Sequence, residues 1–600
     1  MLFLACVLAA AAPTEAAAAG RGLARRAATL PDPAYLRVAT WNVAAINNNP
    51  FEYWITHDDP KYNQMMQDVQ AFLDEPGAAD VAVSTAMLGE LQAKMTEAGW
   101  DHVDEAVAEW RSQYAGRQII AGFMKDKDLG KKRLMSMPDR TTNTINLASG
   151  QTATRPTAIN CYGAEFASME QWWAQWKGFM FDTKLSLASG KEATPSQLVG
   201  KISRAKYPAL TEAEEAMSRP LSAICQAAFD GILVHMLNTV GGGAHKETWQ
   251  PMRRQMCVAL NSRKTHRTLA ILSRSYADSD AIFLQEIWGD EIWGDVGRFR
   301  EILGDSYADS DAIFLQEIWG DVGRYGEILG DSYADSDAIF LQEVSGAMVA
   351  QLREHPKLSR NFSLHVAPND GKRDQISVLL LSRSRFDPAS ATSLNPAFDA
   401  LLAGLGGDVP VWYQEPTYVL ASFHGDTDGL ATVPVVKAMA QLLAKQPAGT
   451  RHVFGMDANT YAVGSAKQQG VSEFAAEYRQ LGLTSCWGDA PDPTNITTFN
   501  ARTYLQPQLN KAVAYKDLAS PGTGDKNPKD FLLFPRGSFG VESTTKDNTG
   551  QKAYVERQPF PTLTFPSDHG VLSSVLKLLP PPSPLASELR TARRSLRAAE

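Results

Sequence analysis

Arg451-His452-Val453-Phe454-Gly455-Met456-Asp457-Ala458-Asn459 is an apolar, strand-like run that ends on a carboxylate and an amide. A strand end holds its backbone rigidly, so polar side chains placed there are positioned well enough for chemistry. Asp457 and Asn459 lie two apart and share one side of the chain if the backbone stays extended. An Asx turn is the alternative reading of the same triplet. In water activation Asp457 accepts a proton or orients the nucleophile, and Asn459 donates a hydrogen bond to a phosphate oxygen.

The same pattern recurs outward along the chain. Thr40-Trp41-Asn42 falls near the end of a strand read over 36–44, and Leu341-Gln342-Glu343 ends the run Ala338-Ile339-Phe340. His424 follows the strand read over 417–423, Lys529-Asp530-Phe531 opens a late apolar strand, and Ser567-Asp568-His569 precedes another. These pieces are hundreds of residues apart, so only a folded sheet gathers them. Glu343, Asn42 and Asp568 offer oxygen atoms suited to a hard divalent cation. Asp530 is the candidate partner that fixes the tautomer of His569 and raises its pKa, and His424 adds a second donor. Each residue alone reads equally well as structural; their order is what carries the site.

In that order the pieces resemble the endonuclease/exonuclease/phosphatase superfamily of metal-dependent phosphoesterases. The resemblance covers 31–45 and 330–580. It implies an α/β fold: a four-layer sandwich of two packed mixed β-sheets flanked by helices. It assigns Glu343, Asn42 and Asp568 to the metal, Mg2+ with Mn2+ as the alternative, and Asp457, Asn459, His569, Asp530 and His424 to catalysis. Thr497-Thr498-Phe499-Asn500 resembles the family's strand before the later aspartate, which makes Asn500 and Arg502 cleft residues. The implied activity is Mg2+-dependent hydrolysis of a phosphate ester by in-line attack of water, as phosphodiesterase, phosphatase or nuclease. A non-catalytic binding or interaction module on the same fold is the alternative.

Two departures stand out. Met456 is inserted after Gly455 in the aspartate motif, and more than two hundred residues separate Asn42 from any Gln-Glu pair. Residues 46–270 therefore read as a large, mainly helical insertion. Its clearest helix starts at Thr211, where Glu214 completes a capping box, and continues past Pro220 through Leu221, Ile224, Ala228 and Ile232. Within it Lys131, Lys132, Arg133 and Arg140 form a basic run that reads as a solvated loop or as a contact for a phosphate-bearing ligand.

Residues 271–342 hold near-identical copies of Ser-Tyr-Ala-Asp-Ser-Asp-Ala-Ile-Phe-Leu-Gln-Glu, with the tyrosine at 276, 307 and 333. One site has room for one such glutamate. The third copy runs directly into unique sequence, which favours Glu343, with Glu286 the runner-up and Glu317 the remaining copy. Residues 343–580 complete the catalytic domain, and the Pro-rich 581–600 reads as a flexible tail.

The 600 residues suffice for a large core, and 44% apolar with 21% charged is ordinary globular composition. A net charge of -9 gives no general attraction to polyanions. Together with the absence of a basic stripe, it favours a small phosphoester or lipid headgroup over long nucleic acid as substrate. Residues 1–20 read as a signal or targeting peptide, so a secretory destination is expected, with an organelle as the alternative. No later segment reads as a membrane span. Cys161, Cys225, Cys257 and Cys486 show neither a metal knuckle nor a disulfide framework, although a bridge is compatible with export.

Overall fold

The computed structural model describes residues 34–264 apart from short segments, isolated stretches of strand between 281 and 415, and 418–580 almost throughout. The expectations for 1–20, 581–600, the second repeat copy, Glu286 and Glu317 lie outside the described residues.

The catalytic domain begins with β1 (Tyr35–Asn42). The insertion follows, with two small hairpins, β2 (Thr144–Asn146) with β3 (Thr152–Thr154) and β4 (Leu185–Ser186) with β5 (Glu192–Ala193). The chain then re-enters the first sheet with β6 (Ala281–Gln285), β7 (Ala338–Val344), β8 (Phe362–Val366) and β9 (Ile376–Ser382). The second sheet takes β10 (Thr392–Ser393), β11 (Trp412–Glu415), β12 (Tyr418–His424), β13 (Arg451–Asp457), β14 (Leu483–Ser485) and β15 (Asp530–Pro535). β16 (Phe539–Asp547) and β17 (Val571–Leu578) return to the first. The resulting orders are β16-β17-β1-β6-β7-β9-β8 and β10-β11-β12-β13-β15-β14, both mixed in direction.

The sheets pack face to face. Leu36 and Val38 of β1 and Leu572 and Leu576 of β17 meet Val453 of β13 and Leu532 and Phe534 of β15 in one buried cluster. This follows from period-two alternation, which sends every second side chain of each strand inward. The outer face of the second sheet is covered by two helices, Thr432–Leu443 and Val471–Gln480, through Val436, Met439, Phe474 and Tyr478. The α/β sandwich expected from the sequence is thus present.

The insertion has a core of its own. Helix α1 (Pro60–Asp74) is capped by Asp59, and the short α2 (Lys127–Lys132) by Asp126. Helix α3 (Met169–Lys177) buries Trp172, Trp173 and Trp176. The Thr211–Glu214 capping box forms, with reciprocal bonds of 2.9 and 3.1 Å. Its helix stops at Ala216, however, and the long α4 (Ser218–Thr239) starts separately. α4 is long and apolar enough to cross a membrane, yet 94% of its apolar window is buried inside the protein. It is the central post of the insertion, apolar all round because other helices surround it. Helix α5 (Trp249–Cys257) carries one end of a disulfide, Cys161–Cys257, with Cα atoms 5.8 Å apart. Ninety-six residues separate the two cysteines, so no local spacing signals the bridge.

Insertion and sandwich are joined along residues 500–513. Ala501, Leu505, Leu509 and Val513 belong to the insertion's hydrophobic cluster, and Asn49 and Trp54 donate side-chain hydrogen bonds to the Leu505 and Val513 carbonyls, both at 2.9 Å.

Candidate active site

Strand register assembles the site. In parallel β12–β13 pairing His424 stands opposite Asp457, and in antiparallel β13–β15 pairing Asp457 stands opposite Asp530. Three neighbouring strands thus end on a histidine and two aspartates. β1 brings Asn42 from the other sheet, where its Nδ2 donates to Asp457 Oδ2 at 2.9 Å. The loop before β17 is tied to β1 twice: Ser567 Oγ donates to the Asn42 carbonyl at 2.6 Å, and Trp41 Nε1 donates to the His569 carbonyl at 2.9 Å.

His569 is the centre of this arrangement. Its Nδ1 lies 3.1 Å from Asp530 Oδ2, and its Nε2 lies 3.6 Å from Asp457 Oδ2. His424 Nε2 is also 3.6 Å from that same Asp457 oxygen. Both latter distances exceed a hydrogen bond, so the Asp457 carboxylate faces two imidazoles with bonding capacity to spare. Asp457, Asp530 and His569 present ligand atoms all within 4.8 Å of one another and are all buried, a cluster compact enough to hold a divalent metal.

The electrostatics follow from burial set against mutual attraction. Burial alone would discharge His569, but Asp457 and Asp530 together overcome it and push its pKa up to about 10. Burial likewise opposes the charge on Asp457, yet His569, His424, Lys529 and the Asn42 amide hold its carboxyl below the usual range. At Asp530 burial wins over His569, so its pKa is raised. Thr497 Oγ1 fixes that carboxylate by donating to Oδ2 at 2.6 Å.

The 457–459 turn settles one of the two backbone readings. The chain does not stay extended: Asn459 has φ 48°, and its N–H donates to Asp457 Oδ1 at 2.8 Å, forming the Asx turn. The Asn459 amide is also occupied. Its Nδ2 donates to the Gly425 carbonyl at 2.9 Å and lies 3.4 Å from Asp457, so in this structure the amide holds the Asp457 turn. The strain of a left-handed asparagine is held by Lys529, whose Nζ donates to Asn459 Oδ1 at 3.0 Å and pairs with Asp525 at 2.7 Å. Sequence reasoning passed over Lys529 as a site residue. Its signal was its place directly before Asp530 on a strand, which turns it to the opposite side and into the turn.

Of the metal candidates, Asp568 lines the cleft and accepts from Asn500 Nδ2 at 2.8 Å. Asn42 Oδ1 accepts from the Ala44 N–H at 2.8 Å and keeps a second lone pair. Glu343 falls on β7, which β6 separates from β1. The register sets Asn42 opposite Gln285 of the first repeat copy, whose next residue is Glu286. Unique sequence after a repeat does not by itself decide which copy pairs with β1, and the assignment of Glu343 stays a proposal. Asp457, Asp568 and Asn42 all line the cleft and carry hard oxygen donors of the kind that Mg2+ or Mn2+ takes.

The cleft is an open trough of about 1750 Å3 bounded by both halves of the molecule. The insertion contributes Lys127 and Tyr53 to its wall, and the 500–527 loop contributes Arg502, Lys511 and Lys526. Arg502 stacks on Tyr53 and pairs with Glu52.

Two facing sheets whose strand ends gather Asn42, Asp457, Asp530 and His569 form the α/β sandwich that the sequence resemblance implied. Solved structures similar to the chain include TDP2 from D. rerio complexed with single strand DNA product, 12% identical, covering 43% of this chain and 92% of that one with TM-score 0.26. The human Nocturnin catalytic domain with bound sulfate is 15% identical over 44% and 88%, TM-score 0.25. ANGEL2, a 2',3'-cyclic phosphatase, is 15% identical over 42% and 84%, TM-score 0.26. The family described as a domain of unknown function (DUF8234) matches residues 79–254, within the insertion. No curated protein matches the chain. The preference for a small molecule or lipid headgroup over nucleic acid is corrected by these neighbours, one of which holds a DNA strand.

Proposed function

We propose that the chain is a metal-dependent phosphoesterase that hydrolyses phosphodiester bonds of nucleic acid in the cleft between sandwich and insertion. One observation carries this reading: a buried histidine, His569, whose Nδ1 lies 3.1 Å from Asp530 and whose Nε2 lies 3.6 Å from the Asp457 carboxylate at the cleft. Asp530 orients His569 and sustains its charge. His569 then offers Nε2–H to a phosphoryl oxygen on which negative charge grows. Asp457, ionised and aligned by Asn42 and by the Asn459 turn, orients the attacking water and takes its proton. A divalent ion on Asp457, Asp568 and Asn42, when bound, supplies Lewis-acid polarisation of the phosphate.

The test is hydrolysis of DNA and RNA oligonucleotides by EDTA-stripped protein, with Mg2+ or Mn2+ restored. Cleavage that returns with the metal is expected. No cleavage of either polymer under any metal condition overturns the proposal. Secretory destination is part of the same reading and is supported by the Cys161–Cys257 bridge, since such bonds persist in oxidising compartments. Peptide mapping of the native protein without reductant should recover that linked pair.

A further inference from the structure

The insertion reaches the cleft through a short, deliberate contact. α2 packs against the turn Leu509–Lys511 at Gly130, where a Cβ would lie 2.5 Å from Asn510 Oδ1 and 2.6 Å from Asn510 N. Only a residue without a side chain permits that approach. It brings Arg133, the residue capping α2, close enough to Lys511 for the two charges to repel. Lys127, at the other end of α2, lines the same cleft as Lys511 and His569.

The cations at this junction differ from others nearby. Lys131 is spent on Asp128 at 2.7 Å and Lys132 on Glu214 at 2.5 Å, so the phosphate contact once open to the whole basic run narrows to Arg133 and Arg140, of which Arg133 faces Lys511. Arg133 stacks on Tyr207, while its Nη1 is buried without a hydrogen-bond partner. Lys511 has no ion pair or side-chain hydrogen bond among the described residues, and of the two acids that act on it, Asp525 and Asp428, the first is held by Lys529. Burial, then Arg502 and Arg133, depress the Lys511 pKa, whereas an anion would restore it. The trough also exceeds the ~300–1,000 Å3 that one small ligand fills, so it has room beyond a single scissile phosphate.

We propose that Lys511, with Arg133 behind it and Lys127 beside it, forms a subsite for a second phosphate of a single-stranded nucleic acid, by which the insertion holds the strand away from the scissile bond. This rests on the phosphoesterase reading and names its substrate as a strand carrying several phosphates. The subsite is built where α2 meets a loop that leaves the active site at Asn500 and is locked into the insertion core, so its position relative to the chemistry is fixed.

The experiment compares wild type with Lys511→Glu and the milder Lys511→Gln on a 12-mer of thymidylate and on p-nitrophenyl thymidine 5'-phosphate, which carries one phosphate. Lys511→Glu is expected to raise KM for the 12-mer at least tenfold more than for the single-phosphate ester, with kcat for the 12-mer within twofold. In parallel, anisotropy of a labelled 12-mer on Asp457→Asn protein reads binding without turnover. Adding Lys511→Gln should flatten the slope of log affinity against log salt by about 0.7, one phosphate's share on a single strand. Equal KM changes on both substrates together with an unaltered salt slope would overturn the subsite. Failure of wild type to cleave either substrate would overturn the phosphoesterase reading, while the anisotropy arm still decides the subsite.

Discussion

Two clusters of charge buried among the described residues differ in what remains unsatisfied. In the insertion, Asp230 of α4 accepts from Arg155 Nε at 2.7 Å, Trp176 Nε1 at 2.8 Å, Thr157 Oγ1 at 2.8 Å and Gln226 Nε2 at 3.2 Å. Arg155 also reaches Asp139 and Thr142. Every oxygen of Asp230 is committed, and Arg155 and Asp230 are fully enclosed. In the sandwich, Asp457 and His569 are equally buried but stand 3.6 Å apart beside an open trough. The first cluster is a lock and the second is a site: burial and charge are common to both, and only capacity left facing a cleft distinguishes chemistry from architecture.

The comparison is sharpened most strongly by the repeated glutamates. If the copy that follows Gln285 faces Asn42, Glu286→Gln should lower turnover about 100- to 1000-fold, as loss of one electrostatic stabiliser does. Glu343→Gln should then leave turnover within threefold. Measured kcat values for the two variants decide between the copies, and the reverse result would return the role to β7.

Breaking the lock should act on stability and not on chemistry. Asp230→Ala leaves Arg155 charged and enclosed, with an expected loss of about 3–5 kcal/mol in urea unfolding. Turnover per folded molecule should be retained. Loss of turnover at unchanged stability would mean the two clusters are not separable.

A smaller effect concerns pH. His569 has its pKa raised to about 10, so the stability its charge contributes is full below the ordinary histidine value and is lost as pH rises through about 10. Removing one of the two carboxylates with Asp530→Asn weakens that hold. The alkaline limb of the pH–rate profile should therefore move to lower pH, and an unmoved limb would show that His569 does not depend on Asp530.

What the sequence disclosed of these two regions follows the same division. Asn42, His424, Asp457, Asp530 and His569 were legible because each ends, opens or shortly precedes an apolar strand, and strand ends are visible in a sequence. The sandwich followed from the same runs. The Asx turn at Asn459 was one of two open readings, because period-two alternation does not say where a strand stops. Lys529 and Thr497 act through partners tens of residues away, and no spacing rule reports them. The Arg155–Asp230 lock and the Cys161–Cys257 bridge join segments 75 and 96 apart, so they exist only once the insertion is folded. The copy of the repeat that pairs with β1 depends on sheet order, which identical sequences cannot reveal.

The most direct measurement is Mg2+-dependent hydrolysis of bis(p-nitrophenyl) phosphate by wild type and Asp457→Asn at matched folded fraction. The carboxylate with unspent capacity is the one difference that makes the second cluster a site, so the variant should lose at least about 100-fold in kcat. Hydrolysis by Asp457→Asn at the wild-type rate would contradict the account.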